Sequence, residues 1–177
     1  MKPFSVLETT KKALAASGES AARRIDLHAD DETTGSFAAD AHALLHWCRI
    51  NERLVIDQAL GDARVYAGFE RLSRLRPVEA RYGRMADVAS EVWVIGENDR
   101  TLRLRRASTA FVKEGPLLRE WFLLISSSRY NCLITARDLD GFETDRPVTE
   151  RRFEGLKAFS RATVQTVEEA LREALRA

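Results

Sequence analysis

Two cysteines in 177 residues, Cys48 and Cys132, are too few and too far apart to frame a disulfide scaffold, and neither belongs to a CxxC pair. They fit a reducing compartment and the use of cysteine as an apolar filler. Long hydrophobic runs are missing as well. No stretch approaches the ~18 consecutive apolar residues of a membrane span. Met1 to Leu7 carries a single Lys2 with no apolar run behind it, so it does not read as a secretory leader. The expected location is cytoplasmic. Charge of one sign is absent too. The 28 basic residues face 27 acidic ones, for a net charge of +1, which gives no global attraction to nucleic acid or to anionic lipid. Neither a membrane nor a nucleic acid is an expected partner.

The nine glycines are scattered. None forms part of G-x-x-x-x-G-K-[ST], G-x-G-x-x-G or G-x-S-x-G, so the chain has no P-loop, dinucleotide or hydrolase-elbow signature. The run Ser126–Ser128 reads as a hairpin turn.

What is present is a balance of 45% hydrophobic and 31% charged residues, ordinary for a globular chain. A single domain of this length buries roughly 70% of the surface exposed by its unfolded chain and needs no metal or disulfide to fold. Among the cations, 23 are Arg and 5 are Lys. That skew reads as the composition of a GC-rich genome and not as a phosphate-binding footprint.

Periodicity orders the elements. Phe4 to Ala16 has helical character and stops at Ser17-Gly18-Glu19-Ser20. Residues 29–36 are polar and read as a loop, so residues 1–36 are expected to form a loosely attached arm, with the main domain over 37–177. From Phe37, the residues Ala41, Leu44, Leu45 and Cys48 recur at helical spacing, and Leu54, Val55, Ala59 and Leu60 continue it. Strands are expected at 64–69, 91–96, 101–106, 108–112, 119–126 and 130–137, with a helix at 81–90. The tight turn at Ser127-Ser128-Arg129 implies an antiparallel hairpin. Arg161 to Arg176 is a helix striped by Val164, Val167, Leu171 and Leu175. The fold class is therefore α+β, with a mainly antiparallel or mixed sheet of about five strands flanked by helices in a single-domain sandwich.

Several constellations carry a bland reading beside a functional one. His42 and His46 share a helix face, but Ala43 stands where a zinc protease needs glutamate, and only His28 and Asp30 are near enough to add ligands. No metal is expected. Asp138, Asp140, Glu143 and Asp145 form an acidic loop without the glycine and terminal glutamate of a calcium site. Arg100, Arg103, Arg105 and Arg106 read first as edge-strand protection. The Val164–Leu175 stripe either covers the sheet or pairs with another copy in a homodimer. The set Arg81, Tyr82, Trp93, Glu120, Trp121, Tyr130 and Arg137 joins aromatics to a carboxylate and guanidiniums, as a small-ligand pocket does. Here the alternative is that Trp93 and Trp121 are core and Glu120 pairs structurally.

The runs Val65-Tyr66-Ala67-Gly68-Phe69, Arg81-Tyr82, Glu91-Val92-Trp93-Val94-Ile95-Gly96, Pro116-Leu117-Leu118-Arg119-Glu120-Trp121-Phe122, and Tyr130 with Leu133 to Arg137 together resemble the DICT domain over about residues 40–160. The resemblance implies a bacterial sensory module found with diguanylate cyclases and two-component proteins, linked by context to light responses, without known catalytic residues. No cyclase, kinase or helix-turn-helix segment lies within these 177 residues, so the expected action is on a signalling protein in trans, or on a second copy. The expected function is non-catalytic signal input through a small ligand or a signalling partner. Arg81, Tyr82, Glu120, Trp121 and Arg137 are the candidate ligand-binding residues. No cofactor is expected, and the small ligand is unidentified. A pure interaction module would lack a ligand-sized cavity. An unrecognised enzyme would present Glu120 as a base to an open cleft.

Overall fold

A computed structural model describes residues 3–27, 32–141 and 147–176. Helix α1 (Val6–Ser17) is followed by strand β1 (Gly35–Asp40), helix α2 (Ala41–Asp57) and strand β2 (Arg64–Arg71). Helix α3 (Glu79–Val88) leads into β3 (Glu91–Glu97) and β4 (Ser108–Phe111). The hairpin β5 (Glu120–Ser126) and β6 (Asn131–Asp138) comes next, then β7 (Arg152–Ala158) and α4 (Arg161–Arg176). The strands form one mixed sheet in the order β1-β7-β6-β5-β2-β3-β4. Pairing is antiparallel from β1 across to β2 and parallel through β2, β3 and β4.

The α+β class stands, but the described sheet has seven strands where about five were expected. Two strands were missed. Strand β1 is a short run of small residues led by Gly35, a pattern close to that of a loop. Strand β7 carries Arg152, Glu154 and Lys157 among its apolar residues, which breaks the alternation and hides its burial. Lys157 is fully buried, its ammonium 5.7 Å from the Trp47 ring centre and 5.5 Å from that of Phe159. One expected strand is absent. Residues 101–107 are irregular, although Leu102 and Leu104 still pack on the core. The alternation was real, but β4 takes the edge position beside β3 that this segment would need.

Every strand sends alternate side chains to opposite faces. Val65, Ala67, Val92, Val94, Leu123, Ile125, Ile134 and Ala136 face α2 and α3. Tyr66, Ile95, Phe122, Leu124 and Leu133 face α1 and α4. The molecule is thus three layers, with the sheet between two helical pairs.

Helix α1 belongs to this body and is not a loose arm. Ser5 Oγ caps it by accepting from the Glu8 amide at 3.0 Å, and Gly18 closes it in the left-handed region at φ 75°. Its buried Val6, Leu7 and Leu14 pack on the sheet and α4. Residues 23–25 run beside β1 through Ile25 N to Ser36 O and Ser36 N to Arg23 O, both 2.8 Å. The expected boundary after residue 36 therefore falls inside a strand.

Helix α2 begins at Asp40, whose carboxylate accepts from the Ala43 amide at 2.9 Å, and runs unbroken through Arg49–Glu52. Helix α4 buries Val164, Val167 and Leu171 against its own sheet, so the apolar stripe weighed for self-association is occupied within the chain. Among the described residues, no helix is long and apolar enough to cross a membrane.

Candidate functional site

The end of β2 is irregular. Its register with β3 shifts between Gly68 and Arg71, and Glu70 inside that bulge has φ 53°. A non-glycine residue held there is costly, and such strain gathers at binding sites. The bulge turns the chain into the 3-10 segment Leu72–Val78, which enters α3 through Pro77. Between this segment, β5 and α2 lies a cavity of about 370 Å³. Leu45 of α2, Gly68 and Phe69 of β2, Pro77, Val78 and Trp121 wall it with apolar surface, and Arg74 and Arg76 also line it. Ligand sites commonly exceed roughly 300 Å³ and combine such walls with a few polar groups.

Behind the cavity a narrow recess reaches Cys48, Glu52, Arg81 and Tyr82. The Tyr82 hydroxyl donates to Glu52 Oε1 at 2.7 Å, and Arg81 Nε lies 2.5 Å from Glu52 Oε2. Burial pushes the Glu52 carboxyl above the ordinary glutamate range, against the pull of Arg81 and the Tyr82 hydroxyl. The Tyr82 ring meets Phe69 edge-on with centroids 5.3 Å apart, and Trp121 meets Phe153 at 5.7 Å. On the outer side, buried Glu70 contacts Arg74 and lies 3.4 Å from Arg151, which also contacts Asp138.

The five candidate residues do not line one pocket. Arg81, Tyr82 and Trp121 stand on the α2/α3 side, at the cavity and its recess. Glu120 and Arg137 are register partners on β5 and β6, and both face α1. Adjacent strand residues point to opposite faces, so Glu120 and Trp121 separate across the sheet. Glu120 is 1% exposed and accepts from Ser5 Oγ, the Val6 amide at 2.8 Å and the Leu7 amide at 3.4 Å. It caps the start of α1 and faces no open cleft. Arg137 pairs with Glu8 at 3.2 Å and lines a more polar, open hollow of about 400 Å³ with Lys11, Arg24 and Glu154. Trp93 is on the α4 side, its indole donating to Glu91 at 2.6 Å, and the Tyr130 hydroxyl donates to Asn51.

Sequence reasoning missed Leu45, Phe69, Val78 and Glu52. One signal was available: Glu52 sits one turn after Cys48 and three residues before Val55, so the apolar stripe of α2 carries an acid that needs a buried partner.

The remaining constellations resolve simply. His42 and His46 are exposed on α2, and no group of three metal-ligating side chains converges among the described residues. His28, Asp30, Glu143 and Asp145 lie outside those residues. Asp138 is buried against Arg151, while Asp140 accepts from the Arg152 amide at 2.8 Å. Arg100 pairs with Glu79 at 3.0 Å, and Arg103, Arg105 and Arg106 are exposed. Both thiols are buried, which pushes Cys132 up to about 12 and Cys48 well above its usual value, so neither is a ready nucleophile.

Fold and site together define an α/β/α sandwich with an aromatic-walled cavity at a strained strand end. The chain belongs to the DICT family, described as the sensory domain in diguanylate cyclases and two-component systems, through a match over residues 26–139. That span runs from before β1 into the turn after β6 and holds every wall of the cavity. No curated protein and no solved structure matches the chain. The family is a sensory one of signalling proteins, which gives this chain a sensory character.

Proposed function

We propose that this domain senses a small, flat, largely apolar ligand with one anionic group, bound in the Trp121 cavity, and passes its occupancy to a signalling protein in trans. The observation that carries this reading is the cavity of about 370 Å³ between Leu45, Gly68, Phe69 and Trp121. A pure interaction module would not need a cavity of that size. Trp121 and Phe69 suit an aromatic face, and the exposed Arg76 suits an anion, Arg74 being paired with Glu70. The capping role of Glu120 favours binding over acid–base chemistry at that residue.

The test uses 8-anilinonaphthalene-1-sulfonate, an aromatic body with one sulfonate, titrated into the full chain. The expected result is one saturable site, quenched tryptophan emission, and binding about tenfold weaker in Leu45→Glu, which sets a carboxylate against the sulfonate at an exposed wall residue. Equal binding in Leu45→Glu at unchanged melting temperature overturns the reading. Native mass spectrometry with an absorption spectrum on protein from its own source then identifies the natural ligand as an added mass.

A further inference from the structure

Positive charge gathers in one cleft although the chain's net charge is only +1. The cleft, about 190 Å³, runs between α2 and α3 and has Arg49, Arg53, Arg81 and Arg84 among its six lining residues, with Ile56 and Asp57. Arg49 and Arg53 are one turn apart on α2, and Arg81 and Arg84 are three apart on α3, so each pair shares a helix face. Two of the four charges are answered: Arg53 lies 3.8 Å from Asp57, and Arg81 lies 2.5 Å from Glu52. Arg49 and Arg84 are exposed and have no acidic partner among the described residues.

Two unanswered guanidiniums at one cleft repel each other, and no ion pair among the described residues offsets that. Their charge matches a dianion. A phosphomonoester carries about −1.5 to −2 near neutral pH and offers three strong acceptor oxygens. The guanidinium fork presents paired N–H donors that fit two of those oxygens at once. A phosphodiester or a carboxylate carries one charge and leaves half the excess unmet. We propose that the α2/α3 cleft binds a phosphomonoester group. Arg81 also lines the recess behind the Trp121 cavity, so one guanidinium is common to both places. The proposal stands independently of the ligand assigned to that cavity.

The test is a titration of the ¹⁵N-labelled full chain with glycerol 3-phosphate, and with glycerol and dimethyl phosphate as controls. Saturable shifts are expected at Arg49, Arg53, Arg81 and Arg84, with dimethyl phosphate about tenfold weaker and glycerol silent. The double variant Arg49→Ala/Arg84→Ala is expected to bind about tenfold more weakly at an unchanged melting temperature, because both side chains are exposed. Absence of saturable shifts up to ~10 mM, or equal affinity in the double variant, overturns the proposal. The same phosphoryl chemistry can come from a metabolite or from a phosphorylated side chain. Tighter binding of a phosphoserine peptide than of glycerol 3-phosphate assigns the second source, and the reverse order assigns the first.

Discussion

Glu120 of β5 holds the N-terminus of α1, by accepting from two backbone amides and the Ser5 hydroxyl. Glu120→Ala leaves those donors buried without a partner. The expected loss is roughly 1–3 kcal/mol, read by urea denaturation, with the Val6 and Leu7 amides losing protection from hydrogen exchange. Unchanged protection there would show that α1 does not depend on this cap. Gly155 is a second residue with no tolerance. A Cβ at this position would lie 2.1 Å from the Thr135 carbonyl oxygen and 2.7 Å from the Phe37 ring. Backbone cannot yield as a side-chain tip does, so Gly155→Ala is expected to open the β6–β7 pairing and to lower stability by roughly 1–3 kcal/mol or more.

At the scale of elements, the two terminal helices lie side by side on one face and are tied to each other as well as to the sheet. Glu19, just past α1, accepts from Ser160 Oγ at 2.5 Å and Thr163 Oγ1 at 2.8 Å at the start of α4. Arg64 of β2 donates to Glu168 Oε2 of α4 at 2.8 Å, and Arg172 reaches Glu91 of β3 at 3.2 Å. Leu171 is fully buried in this layer. Leu171→Ala is expected to cost roughly 2–5 kcal/mol, measured by thermal melts, with the same sedimentation coefficient as the parent chain. A changed oligomeric state at unchanged stability would instead place the α4 stripe at an interface between copies. The cavity is on the other face, between α2 and the segment that feeds α3. Strand β5 touches both faces, with Trp121 at the cavity and Glu120 at α1.

For the whole molecule, the titrating groups divide into two sets. Burial pushes the Glu120 and Glu52 carboxyls above their ordinary value of 4.5. Partial burial works against Glu19 and Asp99, yet hydrogen bonds from Ser160 and Thr163, and from Ser73, hold both below their ordinary values. A raised acid binds more protons folded than unfolded, so stability falls as pH rises from about 4.5 through the folded value. A lowered acid contributes stability above its unfolded value, which is lost as pH falls through the folded one. Thermal melts from pH 3 to 8 are therefore expected to peak on the acidic side of neutral. Glu120→Gln is expected to flatten the limb above about pH 4.5, because it removes one of three raised carboxyls, the others being Glu52 and Glu70. A melting temperature that climbs steadily to pH 8 would contradict this division.

The hairpin of β5 and β6, the parallel run of β2 and β3, and helix α4 were legible in the sequence because each carries its own periodicity and turn. Family membership was legible for the same reason, since short apolar runs between fixed turns survive as a pattern. Strands β1 and β7 were not. Their residues become a strand pair only when β6 supplies an edge and Gly155 lets the backbones close, which is a property of the packed sheet. The candidate site divides in the same way. The sequence by itself determined that Arg81, Tyr82 and Trp121 sit on elements able to carry a pocket, and that Glu120 and Arg137 end adjacent strands. Only the tertiary structure decided which face each residue takes and that Leu45, distant in sequence, completes the wall. Arg49, Arg53 and Arg84 of the α2/α3 cleft read as mere composition, and Arg81 as part of a different pocket, until two helices were laid together. Periodicity is a local property of the chain, whereas a cavity and a charge cluster exist only where segments remote in sequence meet.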